Sequence, residues 1–172
     1  WYKGYNNESA GLAWGESYVL MALVTMFEAT EDPIYLDRLD AHLEAVHAAR
    51  DDQRGVSDYR GISGACWRDW YYQDEPYCYV GHSGMIAYGF AAYGAAVRES
   101  RLTNHHAPDG ETYGEKADRY IGYAEEVVAN HDDQWRDAGY YIFRSDADFL
   151  GYPGIDNPYN LSNAMGRVLV AL

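Results

Sequence analysis

Apolar positions alternate between two patterns along this chain. From Tyr18 to Phe27 nearly every residue is apolar, which predicts a helix buried on all sides. From Ile34 to Arg50 the apolar residues thin to one stripe, Leu36, Leu39, Leu43 and Val46, with Asp37, Asp40 and Glu44 elsewhere, which predicts a half-exposed helix. The alternation then recurs. Met85 to Val97 is apolar and rich in Gly and Ala, and Ala117, Tyr120, Ile121, Ala124, Val127 and Val128 form a second stripe flanked by Asp118, Arg119, Glu125 and Glu126. A third apolar helix is expected from Leu161, carrying Ala164, Met165, Val168, Leu169 and Leu172, and the chain stops inside it. Two inner and outer helical pairs and the start of a third therefore predict an all-α fold of repeated antiparallel hairpins, in a single domain over residues 1–172.

Short motifs reinforce the repeat. Gly15-Glu16-Ser17, Gly81-His82-Ser83 and Asn160-Leu161-Ser162 each precede an inner helix, so Ser17, Ser83 and Ser162 are expected as N-caps. The outer helices end alike, at Asp51-Asp52-Gln53-Arg54 and Asp132-Asp133-Gln134-Trp135-Arg136. Ser17 to Ser83 is 66 residues and Ser83 to Ser162 is 79, longer than the roughly 34 to 47 of common helical arrays. The surplus sits in two Gly- and aromatic-rich connections, Gly55 to Tyr79 and Ala138 to Tyr159. In the second, Tyr140 to Phe143 suits a short strand.

Inner apolar helices, outer amphipathic ones and long aromatic loops together resemble the α/α toroids of carbohydrate-active enzymes: polysaccharide lyases, six-hairpin glycosidases and glucuronyl C5-epimerases. Locally, Tyr79-Val80-Gly81-His82-Ser83-Gly84-Met85-Ile86 and Tyr159-Asn160-Leu161-Ser162-Asn163-Ala164-Met165-Gly166 look like inner-helix starts of such toroids. The resemblance implies part of an (α/α)n toroid. Closed rings of that kind hold five to seven hairpins, so a piece of a larger domain is expected here, with further hairpins or another chain covering the C-terminal helix. It also implies that loops entering the inner helices surround a cleft for a polysaccharide or oligosaccharide.

The residues at those loop ends suit that chemistry. Cys66 to Met85 holds six aromatic residues, three acids and His82. Sugar rings stack on Trp and Tyr while their hydroxyls seek planar polar partners, and Trp67, Arg68, Asp69, Trp70, Tyr71 and Tyr72 offer both. For any single ring the plainer role is filling the space between loop and helices. Trp14 and Asn160 join them as candidate substrate contacts. His82, at the positive end of a helix dipole, is a candidate general base, against the plainer role of a histidine bonded to loop backbone. Glu16 holds the equivalent place in the first repeat and is expected to face the same mouth.

Two reactions fit. In β-elimination of a uronate polysaccharide, His82 or Tyr159 removes the proton beside the carboxylate, Asn160 or Arg68 neutralises the acid, and a tyrosine protonates the leaving oxygen. Hydrolysis instead takes two carboxylates, with Glu16, Asp69, Asp74 and Asp156 as candidates. A sugar-binding or structural array without catalysis is the third reading. The elimination is favoured by the Tyr, Asn and His at the loop ends.

Charge narrows the partners. Acids outnumber bases 27 to 13, giving a net charge of -14, which repels nucleic acid and anionic lipid. The longest apolar runs fall short of the roughly 20 residues of a membrane span. Cys66 and Cys78 are the only cysteines. They form either a disulfide, as in a secreted or periplasmic protein, or two buried thiols. Gly81-His82-Ser83-Gly84-Met85 misses the nucleophile elbow at its last position. No metal or cofactor is expected; Asn104-His105-His106 with Asp109 is a weak metal candidate, and Asp146-Ala147-Asp148 leaves room for a structural calcium ion.

Overall fold

The computed structural model describes residues 6–172. Helix α1 (Ser17–Thr30) is preceded without a break by a π-helical turn, Leu12–Glu16, and followed by α2 (Ile34–Ala48) and the single turn α3 (Asp51–Arg54). Then come α4 (Val80–Glu99), α5 (Tyr113–Ala129), a two-stranded ribbon of β1 (Trp135–Arg136) and β2 (Tyr140–Tyr141), and α6 (Tyr159–Ala171). The fold is all-α with one short antiparallel hairpin, in which Trp135 pairs with Tyr141 and Arg136 with Tyr140.

The helices form two layers around α4. Trp14 meets the ring of His82 and Leu20 lies against Gly89, so the first helical segment and α4 run parallel. Leu161 lies against Gly81 and Met165 against Gly84, so α6 runs parallel to α4 on its other side. The second layer is α2 and α5, which run parallel to each other and antiparallel to the first. Asp40 bonds Lys116, His47 stacks on Tyr123, and Arg50 bonds Glu126. Lys116 is buried between Asp40 and Asp109, and the Tyr120 hydroxyl donates toward Asp40 and Glu44. The outer layer is therefore tied by charge and phenol bonds as well as by its apolar stripe.

That stripe is as expected: Leu36, Leu39, Leu43 and Val46 of α2 are buried, as are Ala117, Tyr120, Ile121, Ala124 and Val127 of α5. The Gly and Ala content of α4 has a physical cause. A Cβ on Gly84 would lie 2.4 Å from the Met165 amide nitrogen, so the α4 and α6 backbones touch and no side chain fits between them. With neighbours on three sides, α4 is buried almost throughout.

Two expectations fail. Ser17, Ser83 and Ser162 do not cap their helices, each of which starts earlier. Trp14 N already bonds Ala10 O, and the residues flanking α4 and α6 as caps are Tyr79 and Pro158. The serines lie one turn inside, where a side-chain oxygen no longer finds free amides. The Ser17 hydroxyl bonds back to the Ala13 carbonyl, and Ser83 bonds His131 instead. A true capping box, Thr112 with Glu115, starts α5. Nor is α1 buried all round, because Tyr18, Ala22 and Met26 lie on an exposed face. On α6, Leu169 is exposed and Val170 is 89% exposed, so its outer flank is also uncovered.

Candidate functional site

The long connection before α4 is fastened at both ends. Cys66 and Cys78 form a disulfide, closing the alternative of free thiols. Inside it, Asp69 and Tyr77 exchange backbone bonds at 3.0 Å each way, folding the segment into a narrow loop. Trp67 drops from this loop into the core. It is buried, its indole donates to the Val46 carbonyl, and it lies parallel to Phe90, so it is no sugar platform. The following residues behave differently: Trp70, Tyr71 and Tyr72 are exposed. Beneath them a second small core of Tyr77, Tyr79, Phe143, Ala147 and Leu150 joins this loop to the one before α6.

Asp69, itself without solvent exposure, aims its side chain at the first turn of α4. Its Oδ1 accepts the Tyr71 amide at 3.2 Å, and its Oδ2 stands 2.7 Å from His82 Nδ1. A carboxylate accepts, so Nδ1 carries the proton and Nε2 presents its lone pair whenever the ring is neutral. No hydrogen bond to Nε2 is found among the described residues. His82 sits in an aromatic box, with ring centres of Trp14 at 5.6 Å, Tyr72 at 5.9 Å and Tyr79 at 5.1 Å. The Tyr79 hydroxyl donates to Gln73 at 2.7 Å, and burial, joined by contact with Tyr152, holds that phenol well above its usual range. His82 is 3% exposed, but Trp14 and Tyr72 above it are about half exposed and, with Tyr71, Ala10 and Gly15, line an open cleft. Trp14 and Tyr72 thus line the cleft, and the His82 and Asp69 pair lies buried behind their rings.

Other expected residues lie apart from this group. Glu16 faces α2 rather than His82: it pairs with His42 Nδ1 and leaves Oε2 buried without a hydrogen bond. Its place in the π-helical turn, two residues past Trp14, swings it toward the second layer. Arg68 is already engaged, donating to the Ser57 carbonyl at 2.5 Å and to Glu8 at 3.2 Å while its guanidinium lies over Trp70. It is not free to hold a substrate acid. Tyr159 and Asn160 are exposed at the start of α6, two residues or fewer from Leu161, which touches Gly81 beside His82. Neither contacts the dyad, and neither lines the cleft.

Remaining polar clusters are structural by their burial or bonding. Ser83 and His131 stand 2.9 Å apart and His131 also bonds Gln134, but both Ser83 and His131 have no exposure. Asp51 lies beside Cys66 and Cys78, whose sulfurs are bonded to each other and so are not thiolate ligands. Asp109 of the weak metal candidate pairs with Lys116, and Asp146 of the calcium candidate accepts from Tyr59 at 2.6 Å. A second hollow, at the far ends of α1 and α4, is lined by Glu28, Glu31, Glu99 and Arg101 and contains no comparable dyad.

Tyr79, within the helix-start motif that holds His82, was given no role of its own, and Gln73 was missed because its bonds to Asp69 and to the Tyr79 hydroxyl exist only once the loop is folded. Arg167, half-buried on α6 against Tyr88, was missed because it reads as one more polar position on a surface helix.

No protein-family model, curated protein or solved structure matches the chain.

Proposed function

We propose that this chain is part of an α/α-toroid polysaccharide-processing enzyme that cleaves a uronic-acid-containing polysaccharide by β-elimination. The observation that carries this reading is the His82 and Asp69 pair under half-exposed aromatic rings. The parallel run of the first helical segment, α4 and α6, with their starts adjacent, supports the toroid.

In the reaction His82 Nε2 takes the proton from the sugar carbon next to the carboxylate. The electron pair forms a carbon–carbon double bond as the bond to the leaving oxygen breaks, and that oxygen takes up a proton. Asp69 stabilises the imidazolium formed and holds the ring's orientation. Tyr159, exposed beside the start of α4, is the candidate proton donor, with Asn160 next to it. Trp14, Tyr71 and Tyr72 are the platforms, and Trp14 or Tyr72 turns aside as a sugar reaches His82. Hydrolysis has less support, because Asp69 and Glu16 are each bonded to a histidine rather than set across the cleft. The disulfide suits a secreted or periplasmic setting, and no helix among the described residues is long and apolar enough to cross a membrane.

The test is incubation with a panel of acidic polysaccharides while ultraviolet absorbance of the unsaturated uronate and reducing ends are followed together. Both rising supports elimination. Reducing ends without absorbance indicate hydrolysis, and neither signal with retained sugar binding indicates a binding array.

A further inference from the structure

Arg167 stands out among the half-buried cations. Arg50, Arg54, Arg60, Arg68, Arg119 and Arg144 each lie against a carboxylate. Arg167 instead rests its guanidinium 4.4 Å above the Tyr88 ring and points Nη1 at the Met21 sulfur, 3.5 Å away. Neither partner is charged, so the guanidinium fork keeps capacity for an anion. In a chain of net charge -14, a half-buried guanidinium without a carboxylate partner among the described residues is the exception that asks for a ligand.

Its position relates it to the cleft. Met21 lies seven residues beyond Trp14 along the same helical segment, about 10 Å farther along its axis. Trp14 touches His82, and Met21 touches Arg167. Tyr88 lies six residues beyond His82 on α4. Because α1, α4 and α6 run parallel, Arg167 occupies the same layer about 10 Å farther down. One sugar ring does not span that distance, so an acid held by Arg167 belongs to a neighbouring unit of the same polymer.

We infer that Arg167 and Tyr88 form a second subsite that binds the carboxylate of a uronate unit adjacent to the one at His82. This deepens, and rests on, the reading of the cleft as a polysaccharide site. The guanidinium takes the carboxylate in a two-bond fork, and the Tyr88 ring beneath holds the fork's plane while excluding water from one side. The subsite selects acidic over neutral chains and supplies the local attraction that an anionic polymer needs against the protein's overall charge.

The probes are oligogalacturonate and oligoglucuronate, each beside its carboxyl-reduced neutral counterpart, titrated calorimetrically against wild type, Arg167→Gln and Arg167→Lys. Circular dichroism and thermal unfolding of each variant check the fold. Wild type is expected to prefer an acidic chain, R167Q to lose about 10- to 100-fold in affinity for it with the neutral chain unaffected, and R167K to fall between. An unchanged acidic preference in folded R167Q, or equal binding of acidic and neutral chains by wild type, overturns the subsite while leaving the sugar cleft standing. No binding of any chain by wild type overturns both.

Discussion

His82 and Asp69 meet at 2.7 Å although one stands in the first turn of α4 and the other in a loop thirteen residues earlier. The bond fixes which ring nitrogen is left to accept a proton. His82→Ala is therefore expected to lower turnover by on the order of 10²–10⁴-fold with the fold kept. Asp69→Asn is expected to lower it by on the order of 10²-fold or more, in kcat rather than KM, because the ring loses the acceptor that fixes its tautomer and orientation. Steady-state kcat and KM on acidic polysaccharide measure both, and an active His82→Ala removes His82 from the mechanism.

The disulfide closes the loop that carries Asp69, Trp70, Tyr71 and Tyr72. Cys66→Ser with Cys78→Ser, or reduction, is expected to cost about 2–3 kcal/mol, the scale for a loop of this length. Denaturant unfolding with and without reductant measures it, and unchanged stability would show that the loop is held by its other bonds.

The Asp51 carboxyl is pushed up to about 7, chiefly by burial, which the Arg68 amide bond and the Arg68 and Arg54 charges offset only in part. The folded value lies above the 3.8 of a free aspartate, so this group favours the fold most at low pH and its contribution is lost as pH rises toward about 7. Asp51→Asn, which keeps an acceptor for the Arg68 amide, should gain about 2–3 kcal/mol relative to wild type between pH 5 and pH 8. Denaturant midpoints at the two pH values decide it, and a constant difference refutes it.

His131 behaves oppositely. Burial, reinforced by Arg144 and Arg60 and only partly opposed by its Gln134 bond, pulls it down to about 4 from 6.5. The fold holds it neutral, so its contribution is full above about 6.5 and is lost as pH falls toward 4, a change of about 3 kcal/mol. Substituting His131→Gln should flatten that acid limb in thermal unfolding followed from pH 7 to pH 4.

Gly84 is where α4 and α6 touch through their backbones. Gly84→Ala is expected to destabilise by about 1–3 kcal/mol, since the Met165 amide cannot rotate away as a side chain could. At Gly122, where an added Cβ meets nothing within 4 Å, the same change should be neutral or slightly stabilising. Paired unfolding curves compare them, and equal effects would contradict the close contact.

The sequence by itself determined the helices and which faces of the outer ones are buried, because a 3.6-residue apolar period leaves a helix one way to shed water. Leu36, Leu39, Leu43 and Val46 needed no partner to be read. It also marked the Cys66 to Met85 stretch as chemically loaded. Helix starts were less legible: Ser17, Ser83 and Ser162 had the composition of caps, but whether a serine meets free amides depends on where the chain enters the helix, and loop packing set that. Only the tertiary structure separated Trp67 in the core from Trp70 at the surface, turned Glu16 to His42, occupied Arg68 with Glu8, and joined Asp69 to His82. Those outcomes rest on distances between segments far apart in the chain, and a one-dimensional pattern carries a residue's chemistry without carrying the direction in which its side chain is finally held.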